Sequence, residues 1–318
     1  MLQVTEFIGG GFALAYHVCH NIVDGFGSMQ FIRSVTDLAR GAQPTVLPVW
    51  ERHILMARTR PCIIDIDPVY TPVLTGSEYD ADAVAKDVML STQIESMVHK
   101  YFLFSPRDIA HLRGQLVPWI LNKPITTFEL ITAVMWRCRT IALGYEVDIK
   151  VWLSFTLNTR GRWKRDLPIP QGYYGNALVH TIVEATVSDL CGRPLGHTVE
   201  LLHKAKANMS LERMRSMVDM MALLRGRPTL PAQHIYWVTD ISHIGYDTLD
   251  FGWAECVSSA MPLPRLSSYH TRYKDEYDGE SIMVSVLLPM SVMDKFAKEI
   301  TSWLKKDYGG NYLRSSSL

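Results

Sequence analysis

Apolar side chains recur at every second position near the start of the chain. Phe12, Leu14, Tyr16, Val18 and His20 share one phase, which predicts a strand over residues 11–20 with these five on one face. The period then changes. Met29, Ile32 and Val35 recur at near-helical spacing and predict a helix over 26–39, with Asp24 and Gly25 in the turn before it. Residues 41–87 carry Pro44, Pro48, Pro61, Pro68 and Pro72 with little periodicity and read as a long crossover. Beyond it, strands are predicted over 88–94 and 100–104. Ser105 and Pro106 open a helix to about residue 116, as N-cap and first helical residue. Thr126-Thr127-Phe128-Glu129 fits a capping box for a helix to about residue 143. A strand follows over 150–156, then one long helix or a broken pair over 194–225. Strands are predicted at 234–239 and 281–288. A last helix spans 291–306, with Val292, Phe296, Ile300 and Trp303 on one face. Strands and helices mix without a strict βαβ rhythm, which argues for a mixed α/β layered architecture.

Composition narrows the function only slightly. Lys+Arg and Asp+Glu balance at 32 each over 318 residues, so no global charge favours nucleic acid or an anionic membrane. Five cysteines, Cys19, Cys62, Cys138, Cys191 and Cys256, show no disulfide framework and fit a reducing compartment, the cytoplasm. The apolar start lacks a basic segment and does not read as a signal peptide. No run of about 18 apolar residues predicts a membrane span. His17, Cys19 and His20 invite a metal reading, but no second compact ligand cluster accompanies them, so none is expected.

The chemistry concentrates in His20-Asn21-Ile22-Val23-Asp24-Gly25. A histidine titrates near neutral pH and can take a proton from a hydroxyl. The alternative for His20 is a strand-end histidine satisfied by backbone. Asp24 is read first as a helix-start acid favoured by the dipole, and it could also pair with an arginine and hold the turn in shape. Arg160, following the strand at 150–156, is the best candidate partner, since its fork suits a partly buried carboxylate. Asp250-Phe251-Gly252-Trp253 reads as a structural corner, with Gly252 at a special backbone angle and Asp250 bonded to nearby N–H groups. Thr126 and Thr127 open a helix whose N-terminus could take a phosphate, although the capping box explains them as well. Arg162, Lys164 and Arg165 form a local basic cluster, more simply a solvated loop.

These strings resemble the plant BAHD acyltransferases, which move an acyl group from coenzyme A to an alcohol or amine. His20-x-x-x-Asp24-Gly25 is similar to the first family signature, and Asp250-Phe251-Gly252-Trp253-Ala254 to the second, whose last position is usually Gly. Intermediate matches are Pro48-Val49-Trp50-Glu51-Arg52, Phe104-Ser105-Pro106, Thr127-Phe128-Glu129 with Trp136-Arg137, Gly172-Tyr173-Tyr174-Gly175-Asn176 and Leu288-Pro289-Met290. The nearest flavour is the alcohol acyltransferase group that includes benzyl alcohol benzoyltransferase, methanol anthraniloyltransferase and the taxane acyltransferases.

The resemblance implies a two-domain, chloramphenicol-acetyltransferase-like fold of mixed sheets flanked by helices. It implies that His20 deprotonates the acceptor, which attacks the thioester directly without an acyl-enzyme. Asp24 becomes structural, paired with Arg160, and Thr239 supplies a hydroxyl to the oxyanion. Thr126, Thr127 and Trp253 would serve the coenzyme A end, and Asp250 and Gly252 the corner. No bound cofactor is implied; acyl-CoA is a co-substrate, the partner is a small alcohol, and the family's habit is monomeric. Ile241 stands where many relatives carry an acceptor-lining aromatic, so no acceptor is carried over.

The first signature stands far earlier here than in the family. The expectation is therefore a first domain that is incomplete, lacking its early sheet and one channel wall, and a chain that is poorly soluble or weakly active. The expected organisation is 1–42 as the remnant of the N-terminal domain with 251–280 packed on it, 43–88 as crossover, and 89–250 with 281–318 as the C-terminal domain. The alternative is a non-catalytic remnant that binds acyl-CoA or a protein partner.

Overall fold

The computed structural model describes residues 1–66, 70, 87–224, 233–256, 259, 261, 265–275 and 279–304. Most of the second half of the expected crossover, and the end of the last expected helix, lie outside the described residues. The chain divides into two compact units. One comprises Met1–Met56, Asn158–Val179 and Ile241–Ser259; the other comprises Ala57–Leu157, His180–Asp240 and Ala260–Leu318.

In the first unit, β1 (Leu2–Glu6) and β2 (Phe12–Tyr16) form an antiparallel hairpin, with Leu2 opposite Tyr16 and Glu6 opposite Phe12. Phe12, Leu14 and Tyr16 are half-buried while Ala13 and Ala15 are exposed, so the alternation is real. It does not carry the strand to His20. The ladder with β1 ends at Tyr16, the chain then turns with Ile22 N donating to Cys19 O, and His20 sits in that turn, exposed. Helix α1 (Gly25–Ala39) follows. Met29 and Ile32 form a small core with Leu249, packed by Tyr16, Ile244 and Tyr246.

The second unit is built on a six-stranded sheet in the order β3-β8-β7-β6-β4-β5. Its elements, in chain order, are β3 (Met97–Phe104), α2 (Pro106–Gly114), α3 (Thr127–Leu143), β4 (Lys150–Asn158), β5 (Leu178–Thr186), α4 (Leu195–Ala207), α5 (Leu211–Leu223), β6 (Ile235–Asp240), β7 (Ser267–Asp275), β8 (Gly279–Pro289) and α6 (Met290–Trp303). β6 runs parallel to β4 and β7, whereas β8 runs antiparallel to β3 and β7, so the sheet is mixed. Helix α3 packs against α6 and α4 and is buried on almost every side, from Leu130 to Ala142. Phe296 of α6 meets Phe102 of β3 edge-on at 5.1 Å. The mixed α/β class expected from the pattern holds.

Some local expectations change, and one open alternative is decided. Residues 88–91 form a helical turn (Val88–Ser91) rather than a strand, because the Asp87 carboxylate accepts from Met89 N at 2.8 Å and Leu90 N at 3.3 Å. The stretch 194–225 is a broken pair, and Ser210 caps the second helix by accepting from Arg213 N. β5 and β7 were not anticipated, and neither was β1. Among the described residues no helix is long and apolar enough to cross a membrane.

β7 carries a buried histidine with a measurable consequence. His270 is 1 % exposed, its Nε2 has no hydrogen-bond partner among the described residues, and the Phe128 ring lies 5.5 Å away. Burial pushes its pKa down to about 4, against the opposing pull of Asp240. The unfolded chain takes up that proton near pH 6.5 and the folded chain does not. Stability is therefore full above about pH 6.5 and falls as the pH drops toward 4, by up to about 3 kcal/mol. Urea unfolding at pH 7 and pH 4.5 checks this: His270→Phe is expected to flatten the loss, and an unchanged slope would exclude His270 as its source.

Candidate active site

Asp24 organises the first unit. It is the N-cap of α1 and is 1 % exposed. Oδ1 accepts from Gly27 N at 3.0 Å and from Arg160 Nη2 at 3.1 Å; Oδ2 accepts from Arg160 Nη1 at 2.7 Å and from Ala177 N at 3.0 Å. A buried carboxylate with four donors is fully satisfied and has none of its stronger acceptor directions left for an imidazole. Arg160 is fixed in turn. Its Nη2 donates to Gly175 O at 2.7 Å and Tyr173 O at 3.3 Å, and the Phe26 ring lies 5.3 Å from the guanidinium carbon. Asn158 Oδ1 accepts from Arg160 N at 3.0 Å.

His20 is exposed, and among the described residues no hydrogen bond engages its imidazole. Its backbone is held instead: Asn176 Nδ2 donates to His20 O at 2.6 Å. The next two carbonyls are taken by Arg52, which donates from Nη1 to Asn21 O at 3.3 Å and from Nη2 to Ile22 O. Beneath the first turn of α1, Tyr16 and Tyr246 share a hydrogen bond at 2.7 Å, and Ser28 donates to Tyr16 at 3.2 Å. Burial and the neighbouring Tyr16 push the Tyr246 phenol well above its ordinary range, so it stays protonated.

The helix that starts at Asp24 lies against the backbone of the 172–177 segment. A Cβ on Gly27 would sit 1.9 Å from Tyr174 O. Gly27→Ala is therefore expected to destabilise the chain by about 1–3 kcal/mol or more, since backbone must move. A thermal melt reads this, and an unshifted midpoint would mean that α1 can slide away freely. An apolar pocket of about 730 Å³ opens beside this helix; Val18, Ile22, Phe31 and Trp50 line it, and Cys19, next to His20, stands at its wall.

The second signature forms a tight corner in the same unit. Gly252 N donates to Asp250 Oδ1 at 2.6 Å, Arg40, the C-cap of α1, donates to Asp250 Oδ2 at 3.3 Å, and Gly252 takes φ +84°. Phe251 and Trp253 pack on Phe12 of β2 at 5.4 and 5.1 Å, with Trp253 still 71 % exposed. Ala254 lies outside the left-handed region, so its methyl adds no backbone strain.

The remaining candidates lie in the second unit. Thr239 is half-buried on β6 opposite Tyr269 of β7. Thr126 caps α3 in a reciprocal box with Glu129, donating from N at 2.6 Å and from Oγ1 at 2.8 Å to Glu129 Oε2. Glu129 is fully buried and also meets His203 Nδ1 at 3.1 Å, so Thr126 is committed to the cap, and Thr127 is the adjacent half-buried hydroxyl. Among the described residues no group of three or more His, Cys, Asp or Glu is arranged to hold a metal.

The sequence pattern of the Transferase family matches residues 1–302. The chain belongs to the plant BAHD acyltransferase family. Among similar BAHD proteins, Acyl transferase 1 of Oryza sativa subsp. japonica is 45 % identical over 324 residues, covering 96 % of this chain and 66 % of the relative. Spermidine hydroxycinnamoyltransferase 1 of the same plant is 44 % identical, covering 89 % and 63 %. Benzyl alcohol O-benzoyltransferase of Petunia hybrida is 34 % identical, covering 96 % and 65 %. The chain thus spans about two thirds of the length of these relatives. Vinorine synthase shares the fold at a TM-score of 0.67 and 18 % identity, covering 96 % of this chain and 65 % of its own. F. sporotrichioides TRI101 complexed with Coenzyme A and T-2 does so at 0.69 and 16 %, covering 95 % and 68 %.

Sequence reasoning singled out His20, Asp24 and Arg160 in this site but gave no role to Arg52, Asn176 or Ala177. Arg52 and Asn176 lay inside matched strings, which was the signal available. Ala177 acts through its backbone N–H, which no side-chain pattern reveals.

Proposed function

We propose that this chain takes part in moving an acyl group from a coenzyme A thioester to the hydroxyl of a small alcohol, with His20 as general base. One observation carries the reading. Both oxygens of Asp24 are taken by Gly27, Arg160 and Ala177, which supports a scaffold role for the acid and leaves the exposed imidazole of His20 as our candidate base. His20 would take the acceptor's proton as its oxygen attacks the thioester carbonyl. The tetrahedral oxyanion would then expel the coenzyme A thiolate, which receives that proton from His20. No acyl-enzyme is formed. The hydroxyl of Thr239 is our candidate donor to the oxyanion. Thr126, Thr127 and Trp253 are our candidates for the coenzyme A end, Thr127 through its side chain and Thr126 only through its place at the helix start.

The names of the relatives support the class: one acts on benzyl alcohol, and the TRI101 structure holds Coenzyme A. An amine acceptor is the second reading, favoured by the higher identity to the spermidine hydroxycinnamoyltransferase. Five cysteines without a disulfide, two of them exposed, support a reducing cytoplasm, and the same proposal takes the protein as a monomer.

The test is thiol release from acetyl-CoA or benzoyl-CoA, with benzyl alcohol and spermidine as acceptors, beside the intact mass after thioester alone. The expected result is release only when an acceptor is present, and no acyl adduct on the protein. A stable adduct that chases to product would replace direct transfer with an acyl-enzyme. Binding of coenzyme A without release for any acceptor would favour the non-catalytic alternative.

A further inference from the structure

Two matched strings have no part in the chemistry above, yet both end on the His20 turn. Three consecutive carbonyls, those of His20, Asn21 and Ile22, point to side-chain donors from distant segments: Asn176 takes the first, and Arg52 the next two. Successive carbonyls in a turn are normally left to water or to backbone, so convergence on two side chains fixes the orientation of the peptide planes that carry His20.

The Arg52 side chain is itself built in. Its guanidinium carbon lies 4.0 Å from the Trp50 ring centroid and 5.8 Å from that of Tyr174, and the two rings are 5.5 Å apart. Residues 47–49 run beside 172–173, where Val49 N donates to Gly172 O at 2.9 Å and Val49 forms a parallel bridge with Tyr173. A Cβ on Gly172, which has φ +87°, would sit 2.2 Å from Leu47 O, so this close approach requires glycine. The segment that delivers Arg52 is therefore docked onto the segment that delivers Asn176.

We propose that Arg52 and Asn176 are positioning residues that clamp the carbonyls of the His20 turn and so set the direction of the imidazole. This rests on the reading of His20 as the general base, but the clamp itself is a structural statement that can be tested without turnover. Lysine at position 52 keeps the charge and loses the fork, so it could reach one carbonyl but not both.

The experiment uses the full chain, with Arg52→Gln, Arg52→Lys and Asn176→Ala made separately. Hydrogen exchange of residues 18–24 is followed by mass spectrometry, with β3 and β8 as internal controls. Arg52→Gln and Asn176→Ala are expected to speed exchange in 18–24 by about tenfold or more while the controls keep their protection, and Arg52→Lys to recover part of it. Unchanged exchange in 18–24 for both Arg52→Gln and Asn176→Ala overturns the clamp. If Arg52→Gln loses protection everywhere, Asn176→Ala and Arg52→Lys decide, since each removes less. With turnover, the clamp predicts a fall in kcat of about tenfold with KM for the thioester nearly unchanged. An equal rise in KM would mean that Arg52 serves binding instead. Turnover that is indifferent to His20→Ala would remove the base reading and leave the exchange result standing.

Discussion

Replacing His20 with alanine is expected to lower turnover by about 10²–10⁴-fold, the usual contribution of a well-placed general base. The melting midpoint should stay where it is, because the imidazole is exposed and no hydrogen bond engages it among the described residues. That separation of activity from stability is the useful part. Asp24→Asn should behave in the opposite way: it removes one charge-assisted partner from Arg160 and loosens the turn, so it is expected to reduce stability along with rate. Thiol release under saturating thioester, measured beside a thermal melt, distinguishes the two. A His20→Ala protein that keeps turnover within a few-fold of the parent would rule out this histidine as the base.

Arg160→Ala is expected to cost about 3–5 kcal/mol of folding free energy, the range for breaking a buried ion pair from one side. The reason is asymmetry. Asp24 is almost wholly buried, and without the guanidinium it keeps only the N–H groups of Gly27 and Ala177 around a full negative charge. The same change strands the carbonyls of Tyr173 and Gly175. Arg160→Lys should fall between, since an ammonium can meet one carboxylate oxygen but cannot bridge both and reach Gly175 as well. Urea unfolding monitored by tryptophan fluorescence measures this. A loss below about 1 kcal/mol would place the pair among ordinary surface ion pairs and refute its role as the keystone of the turn.

Local rules carried much of the fold. Ser105 and Thr126 announced their helices because N-cap hydrogen bonds are made within four residues, and both prove to be reciprocal boxes with Asp108 and Glu129. The stripe Val292, Phe296 and Ile300 is buried because α6 covers the sheet with one face. What stayed hidden depends on partners far along the chain. β7 reads Ser267-Ser268-Tyr269-His270-Thr271-Arg272, too polar to suggest a strand inside a sheet, and is held there by β6 and β8 on either side. Residues 88–91 look like a strand until Asp87 caps them. His20 keeps the strand's phase, but the ladder stops at Tyr16, and only pairing can say so. In the site, the Asp24–Arg160 approach was plausible from two side chains of opposite charge. The donors to three backbone carbonyls were not, because carbonyls leave no trace in the side-chain pattern.

The supports of the His20 turn are far apart in time as well as in sequence. Arg160, Asn176 and Ala177 lie 136, 156 and 153 residues after the groups they hold. At typical synthesis rates, about ten to thirty seconds separate the emergence of the turn from that of its last support. During that interval the nascent chain carries its histidine on a turn that still lacks Asn176 and Ala177, with a charged Asp24 whose partner Arg160 comes late. A ribosome pause or a chain break before residue 177 would thus yield a protein whose α1 has been made in full but whose reactive turn has never been set.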